Sequence, residues 1–203
     1  MTDSRASSTR TGATSRVTKE TAIEINLALD GSGDTDIATG LPFFDHMLDQ
    51  LGRHGSFDLD VSATGDLSID AHHTVEDVGI ALGETFASAL GDKRGVRRFA
   101  SNVVPLDEAA VEIVLDLSGR PYFHYEVDFP GEKILGDPPF DPQLVEEFWR
   151  AFVVSAGVTL HIIGRRGRNT HHIIEAMFKG VARSLRDAVK VEGDVLPSTK
   201  GTL

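Results

Sequence analysis

Apolar and polar residues alternate from Val17 to Leu29, with Ile23, Ile25, Leu27 and Leu29 on one side. This two-residue period predicts a half-buried strand. Gly31-Ser32-Gly33-Asp34 predicts a turn, and Thr35 to Ala38 a short returning strand. At Pro42 the period lengthens. Phe44, Leu48 and Leu51 form one stripe of a helix that runs to about His54, with proline at its start and Gly55 where a C-terminal glycine is favoured. His46, Gln50 and His54 form a second stripe at spacing four. Phe57, Leu59 and Val61 alternate as another strand. A loop from Thr64 to Ala71 follows, with Asp70 placed to cap a helix that begins at His72. That helix turns Val75, Val78, Leu82 and Phe86 toward a core and ends near Gly91.

The second half repeats the first. Lys19-Glu20-Thr21-Ala22-Ile23-Glu24-Ile25 lies over Asp107-Glu108-Ala109-Ala110-Val111-Glu112-Ile113, and Leu27, Leu29 and Gly31 match Leu115, Leu117 and Gly119. A longer loop contains Pro130-Gly131 and Asp137-Pro138-Pro139. Pro142 to Ala156 reads as a helix through Leu144, Phe148, Phe152 and Val153, and Val158 to Ile163 as a strand. Arg165 to Asn169 reads as a basic loop, with Asn169 or Thr170 capping a final helix from His171 to about Val189. Each half is strand-strand-helix-strand-helix. Neither half buries both faces alone, so the two should share one core. The predicted fold class is α+β: internally duplicated halves, 16–97 and 98–203, with helices packed on two mixed β-sheets in one fused unit, behind a disordered tail over 1–15.

Composition narrows the classes of function. A chain of 203 residues is long enough for a substantial core. It has no cysteine, which removes disulfides, thiolate metal ligands and cysteine nucleophiles and is compatible with a reducing cytoplasm. Its net charge of −11 argues against nucleic-acid or acidic-membrane binding. No apolar run approaches a membrane span. The first fifteen residues are rich in Ser, Thr and Arg and lack the apolar segment of a secretion signal.

One motif occurs twice. His72-His73-Thr74-Val75-Glu76-Asp77 and His171-His172-Ile173-Ile174-Glu175-Ala176 each read His-His-x-x-Glu at the start of a helix. The first His and the Glu share a helix face, while the second His is turned about 100° away. Imidazole and carboxylate donors together suit a divalent transition metal. His46 and His161 are the next candidates. His161 equally suits a core position on its half-apolar strand, and His54 and His124 fall outside the metal set. Eight donors, His46, His72, His73, Glu76, His161, His171, His172 and Glu175, would serve two metals with four each, leaving an octahedral ion two open positions. Mn²⁺ fits substrate chemistry best, with Zn²⁺, Fe²⁺ or Co²⁺ permitted by residue type. Glu76 and Glu175 also suit a capping role in the first helical turn. Positive charge concentrates at Lys93-Arg94, Arg97-Arg98 and Arg165-Arg166-Gly167-Arg168, and Lys179 stands seven residues after His172 on its helix face. A cation two turns from a metal ligand is placed to hold a phosphate. The tail Pro197-Ser198-Thr199-Lys200-Gly201 adds hydroxyls and an amine.

From about Arg16 onward the chain resembles the imidazoleglycerol-phosphate dehydratase family. Phe43-Phe44-Asp45-His46-Met47-Leu48, both His-His-x-x-Glu runs with Arg168-Asn169-Thr170 before the second, and the Pro197–Gly201 tail carry the resemblance. The resemblance implies dehydration of imidazole glycerol phosphate to imidazole acetol phosphate in histidine biosynthesis. It implies two Mn²⁺ ions and a 24-subunit shell with active sites between subunits. It makes ligands of the eight donors above. It gives the phosphate to Arg98, Arg120, Lys179, Ser198 and Lys200, with Gln50 near the substrate and Glu20 a proton-transfer group. Catalytic carboxylates would then be Glu20, Glu76 and Glu175.

The chemistry agrees. The departing hydroxyl sits on the carbon attached to the imidazole, and cations on the ring nitrogens favour an electron-rich imidazolate. The ring can then expel hydroxide to a diazafulvene-like intermediate. This acidifies the neighbouring C–H for a carboxylate such as Glu20, and the enol becomes the ketone. Glu20 equally suits a polar position on an exposed strand edge. Two other classes stay open: a dinuclear phosphate-ester hydrolase, which lacks the expected bridging aspartates, and a metal-storage or metal-dependent assembly module.

Overall fold

The computed structural model describes residues 10–131 and 134–201. The first half comprises β1 (Thr11–Val17), β2 (Thr21–Ala28), β3 (Thr35–Ala38), α1 (Pro42–Gly55), β4 (Asp58–Gly65) and α2 (His72–Leu90). The second comprises β5 (Phe99–Leu106), β6 (Ala109–Asp116), β7 (Tyr122–Glu126), α3 (Gln143–Ala156), β8 (Thr159–Arg166) and α4 (Thr170–Ala188). The sheets have matching orders, β1-β2-β4-β3 and β5-β6-β8-β7. In each, the last pair is parallel and the others antiparallel. The predicted α+β class with two mixed sheets is what the chain adopts.

The halves differ from expectation by one strand each: three strands precede the first helix. Residues 11–15, assigned from sequence to the tail, belong to β1, which pairs with β2 from Thr11↔Ala28 to Val17↔Ala22. The rest of that tail, 1–9, lies outside the described residues. β1 has no apolar stripe because α2 comes too close to admit one. A Cβ on Gly12 would lie 2.3 Å from the Thr85 carbonyl oxygen. β5 escaped notice for a different reason. Phe99 and Val103 face outward while Ala100, Asn102, Val104 and Leu106 face the helices, so neither side reads as clearly apolar.

The sheets turn their apolar faces, Ile23, Ile25 and Leu27 in β2 and Val111, Ile113 and Leu115 in β6, onto the helices. The helices then cross between halves: α2 packs on α3, and α1 on α4. The buried apolar residues of both halves form one cluster. Its two helix seams are unlike. Along α2–α3 the backbones meet through small residues. A Cβ on Gly83 would stand 2.6 Å from the Ser155 Cβ and 2.7 Å from the Phe152 carbonyl, and one on Gly79 would be 2.7 Å from the Phe148 carbonyl. Phe148, Phe152 and Phe178 fill the space beside them. The α1–α4 seam instead carries imidazole, carboxylate and ammonium groups. Gly83→Val is therefore expected to cost about 1–3 kcal/mol through overpacking, read as a lower guanidinium unfolding midpoint with the secondary structure retained.

Candidate metal centre

On α1, Phe44, Met47, Leu48 and Leu51 are buried, which leaves His46 on the flank facing α4. α4 begins at Asn169, whose side-chain oxygen accepts the His172 N–H as its predicted cap. The helix carries His171, Glu175 and Lys179 along one face. Glu175 Oε2 accepts from His171 Nε2 at 2.9 Å and from His46 Nε2 at 3.2 Å. Its other oxygen, Oε1, lies 2.6 Å from Lys179 Nζ. His46, His171 and Glu175 offer one donor atom each within 4.8 Å of one another, the one such group among the described residues. Two imidazole nitrogens and one carboxylate oxygen fit a divalent transition metal with coordination positions left open. An open cavity of about 550 Å³ adjoins them, lined by Glu108, Leu135 and Arg168 to His172.

The electrostatics match a cation site. Burial pushes the Glu175 carboxyl up, but Lys179, His171 and His46 outweigh it and hold its pKa down to about 2. The group is an anion throughout the neutral range. Farther along the seam, burial and the positive fields of Lys179 and Arg183 push His54 below its ordinary value, which favours a neutral ring.

The first motif is placed differently. His72 Nε2 and Glu76 stand 3.9 Å apart on the opening turn of α2. Asp70 does not cap this helix as predicted: Ala71 is the N-cap, and Asp70 Oδ1 accepts the His72 N–H at 2.8 Å. No third imidazole joins from the facing helix, because Phe148 holds the α3 position that corresponds to His46. His73 Nδ1 donates to Asp66 Oδ2 at 3.0 Å, with Glu20 at 4.0 Å. Asp66 raises the His73 pKa against desolvation, with Glu20 and Asp70 adding to the rise. His172 Nδ1 donates to Glu108 Oε2 at 2.8 Å. That hydrogen bond and the Asn169 and Arg168 N–H groups hold the Glu108 pKa at about 2.

His161 stands apart from all of these. Leu160 and Ile162 in β8 point to the helices, so His161 points to the outer face of its sheet. Its ring neighbours are His124 at 5.4 Å and Tyr122 at 5.5 Å between centroids. The expectation that both motifs, His46 and His161 line one site is therefore not met within a single chain. The helix exchange separates the motifs, and strand parity turns His161 outward.

The expected phosphate residues also divide. Lys179 lies in the α1–α4 seam beside Glu175. Arg98 pairs with Asp116 at 2.7 Å and donates to the Pro197 carbonyl at 2.6 Å, which fastens the tail to the end of the second sheet. Ser198 Oγ accepts the Lys200 N–H at 3.2 Å in that tail. Arg120 belongs to the same sheet end, where its carbonyl accepts from Thr159 Oγ1 at 3.3 Å. Gln50 lies half-buried on α1 between His46 and His54. Arg165 and Arg166, expected in a loop, extend β8, and Arg165 pairs with Glu112. Asp66 and Glu108 were not singled out from sequence. For Glu108 a signal existed, since the repeat alignment sets it opposite Glu20.

The fold and site define a class: an internally duplicated α+β protein that carries a candidate corner of nitrogen and oxygen donors. The imidazoleglycerol-phosphate dehydratase family model matches residues 39–185. The chain is 58% identical over 197 residues to the imidazoleglycerol-phosphate dehydratase of Gluconacetobacter diazotrophicus, covering 96% of this chain and 98% of that protein. It is 52% identical over 196 residues to that of Methanopyrus kandleri, covering 97% and 98%. The crystal structure of the Staphylococcus aureus dehydratase superposes with a TM-score of 0.80 at 35% identity, covering 89% of this chain and 99% of that one. The Pyrococcus furiosus enzyme matches at the same TM-score and identity, covering 94% and 100%. The chain belongs to the imidazoleglycerol-phosphate dehydratase family.

In the metal-free protein, the depressed Glu175 pKa contributes stability that is complete above about 4.5 and is lost as pH falls toward about 2. Urea unfolding across that window is expected to show a steep loss for the wild type and a shallower one for Glu175→Gln.

Proposed function

We propose that this protein dehydrates imidazole glycerol phosphate to imidazole acetol phosphate, the family's step in histidine biosynthesis, with two Mn²⁺ ions per active site. The His46–His171–Glu175 corner, with Lys179 on the second oxygen of the same carboxylate, carries the proposal. It joins a metal-type donor set to a cation suited to phosphate. The ligands are His46, His72, His73, Glu76, His161, His171, His172 and Glu175. Bound metal supplies positive charge to the imidazole of the substrate and favours its electron-rich form. Lys179, with Arg98, Arg120, Ser198 and Lys200, holds the phosphate, and Gln50 lies beside the substrate. Glu20 takes the proton from the carbon next to the one that loses hydroxide. Together these steps remove one water, and the resulting enol gives the ketone.

Active sites form between copies in a 24-subunit shell. Two features support this. Among the described residues the first motif has no third imidazole beside it, and His161 faces outward on a sheet surface with Phe99, Val103, Val114 and Tyr122 exposed. That apolar surface is of the kind self-association covers. The protein acts in the cytoplasm. The absence of cysteine and of any described helix long and apolar enough to cross a membrane is compatible with this.

Three measurements test the proposal. Purified protein should form imidazole acetol phosphate only with added divalent metal, Mn²⁺ best. Full turnover after chelation would refute the mechanism, and release of inorganic phosphate would select the hydrolase instead. His171→Ala and His161→Ala should each lower kcat by on the order of 100-fold or more. Mixed and reassembled, the two variants should recover activity through sites that draw an intact His171 and an intact His161 from different copies. A fully active monomer on sizing would defeat the shared site.

A further inference from the structure

The duplicated halves use their carboxylates unequally, and the difference bears on what Glu20 is free to do. Glu20 immediately precedes β2 and Glu108 immediately precedes β6, so they are counterparts. Their surroundings are not alike. Both Glu108 oxygens are committed: Oε2 accepts from His172 Nδ1 at 2.8 Å, and Oε1 accepts the N–H groups of Arg168 at 2.9 Å and Asn169 at 2.8 Å. Glu20 is half-exposed and stands 4.0 Å from His73 Nδ1. The carboxylate that does meet His73 is Asp66, through Oδ2 at 3.0 Å and Oδ1 at 3.2 Å. Asp66 directly follows β4. The residue that directly follows β8 is Gly167, which has no side chain to offer.

An ionised carboxylate only accepts hydrogen bonds, so in the neutral form of either ring the proton is on Nδ1 and the lone pair on Nε2. We infer that Asp66 and Glu108 are positioning residues, equivalent in effect but not in sequence position, that fix His73 and His172 with Nε2 bare for a metal. Because Asp66 orients His73, Glu20 is released from the role its counterpart fills and keeps an uncommitted carboxylate for proton transfer. The backbone that carries Glu20 is secured separately. Thr21 Oγ1 donates to Asp77 Oδ2, and Arg16 donates to Asp77 Oδ1 at 2.9 Å. The buried Asp77 has no acidic counterpart in the second motif, which has Ala176 there. Glu20 is thus held near His73 by its strand and not by a bond to the ring. This inference rests on the metal site and on the role of Glu20 proposed above.

The test is Mn²⁺ titration of the assembled protein, by calorimetry and by the signal of free Mn²⁺ in electron paramagnetic resonance, on Asp66→Asn, Glu108→Gln and Glu20→Gln. An amide can present N–H to Nδ1 and so favour the tautomer whose Nε2 carries the proton. Asp66→Asn and Glu108→Gln are expected to weaken one class of Mn²⁺ site by about 10–100-fold. Glu20→Gln is expected to bind Mn²⁺ within about twofold of wild type while kcat falls by about 100-fold. Glu108→Gln keeps an amide oxygen for the Arg168 and Asn169 N–H groups. Should it still fail to fold, Asp66→Asn, whose carboxylate among the described residues meets the His73 ring alone, decides the matter by itself. Wild-type Mn²⁺ affinity in the folded Asp66→Asn variant would overturn the positioning role. Weakening by Glu20→Gln as large as by Asp66→Asn would overturn the division of labour. Wild-type protein that binds no Mn²⁺ would defeat the underlying metal reading instead, and a fully active Glu20→Gln would defeat only the assignment of the base.

Discussion

Exchange of helices between the halves is the constraint on which this molecule depends. Each sheet exposes an apolar face that its own two helices only partly cover, and burial is completed when α2 meets α3 and α1 meets α4. The duplication makes the two seams counterparts. Because the sequences have diverged, they need not be chemically alike. One seam became a close glycine and aromatic contact that locks the halves together. The other kept room for His46, His171, Glu175 and Lys179. Placing the polar groups in a single seam lets the protein hold an ionised carboxylate among helices without an unpaired buried charge in its core.

The same exchange sets the character of the site. Glu175 is shared by two imidazoles and an ammonium, so its charge is satisfied in the metal-free protein and its geometry is formed in advance. A donor set preorganised in this way loses little side-chain freedom on taking up a cation. The first motif, with Phe148 across from it, stands at the rim of its helix pair with His72 and Glu76 half-exposed. His161 is on the far side of the second sheet. The candidate donors therefore point outward from different faces of one chain.

Much of this was legible in the residues. Two-residue and helical periods located β2, β3, β4, β8 and all four helices to within a few positions. The doubled His-His-x-x-Glu motif identified the donor types, since ligand chemistry depends on which side chains are present and on their spacing along one helix. β1 and β5 were not legible. A strand pressed against a helix backbone carries small residues in place of an apolar stripe, and a strand with apolar groups on both sides shows no period. Asp66 was silent because a lone aspartate after a strand looks like any loop aspartate until His73 is seen beside it.

The sequence by itself determined the architecture class, the duplication, a cap for α4 at Asn169 or Thr170 and the set of candidate donors. These depend on local periodicity and on side-chain chemistry, which act between near neighbours along the chain. Tertiary structure alone decided which donors meet. Strand parity and helix pairing bring His46 to Glu175 across a sequence separation of 129, turn His161 to the opposite surface, and give His73 and His172 their carboxylates from different positions in the repeat. Such contacts depend on how two sheets and four helices close around one core, and no period along the chain records that.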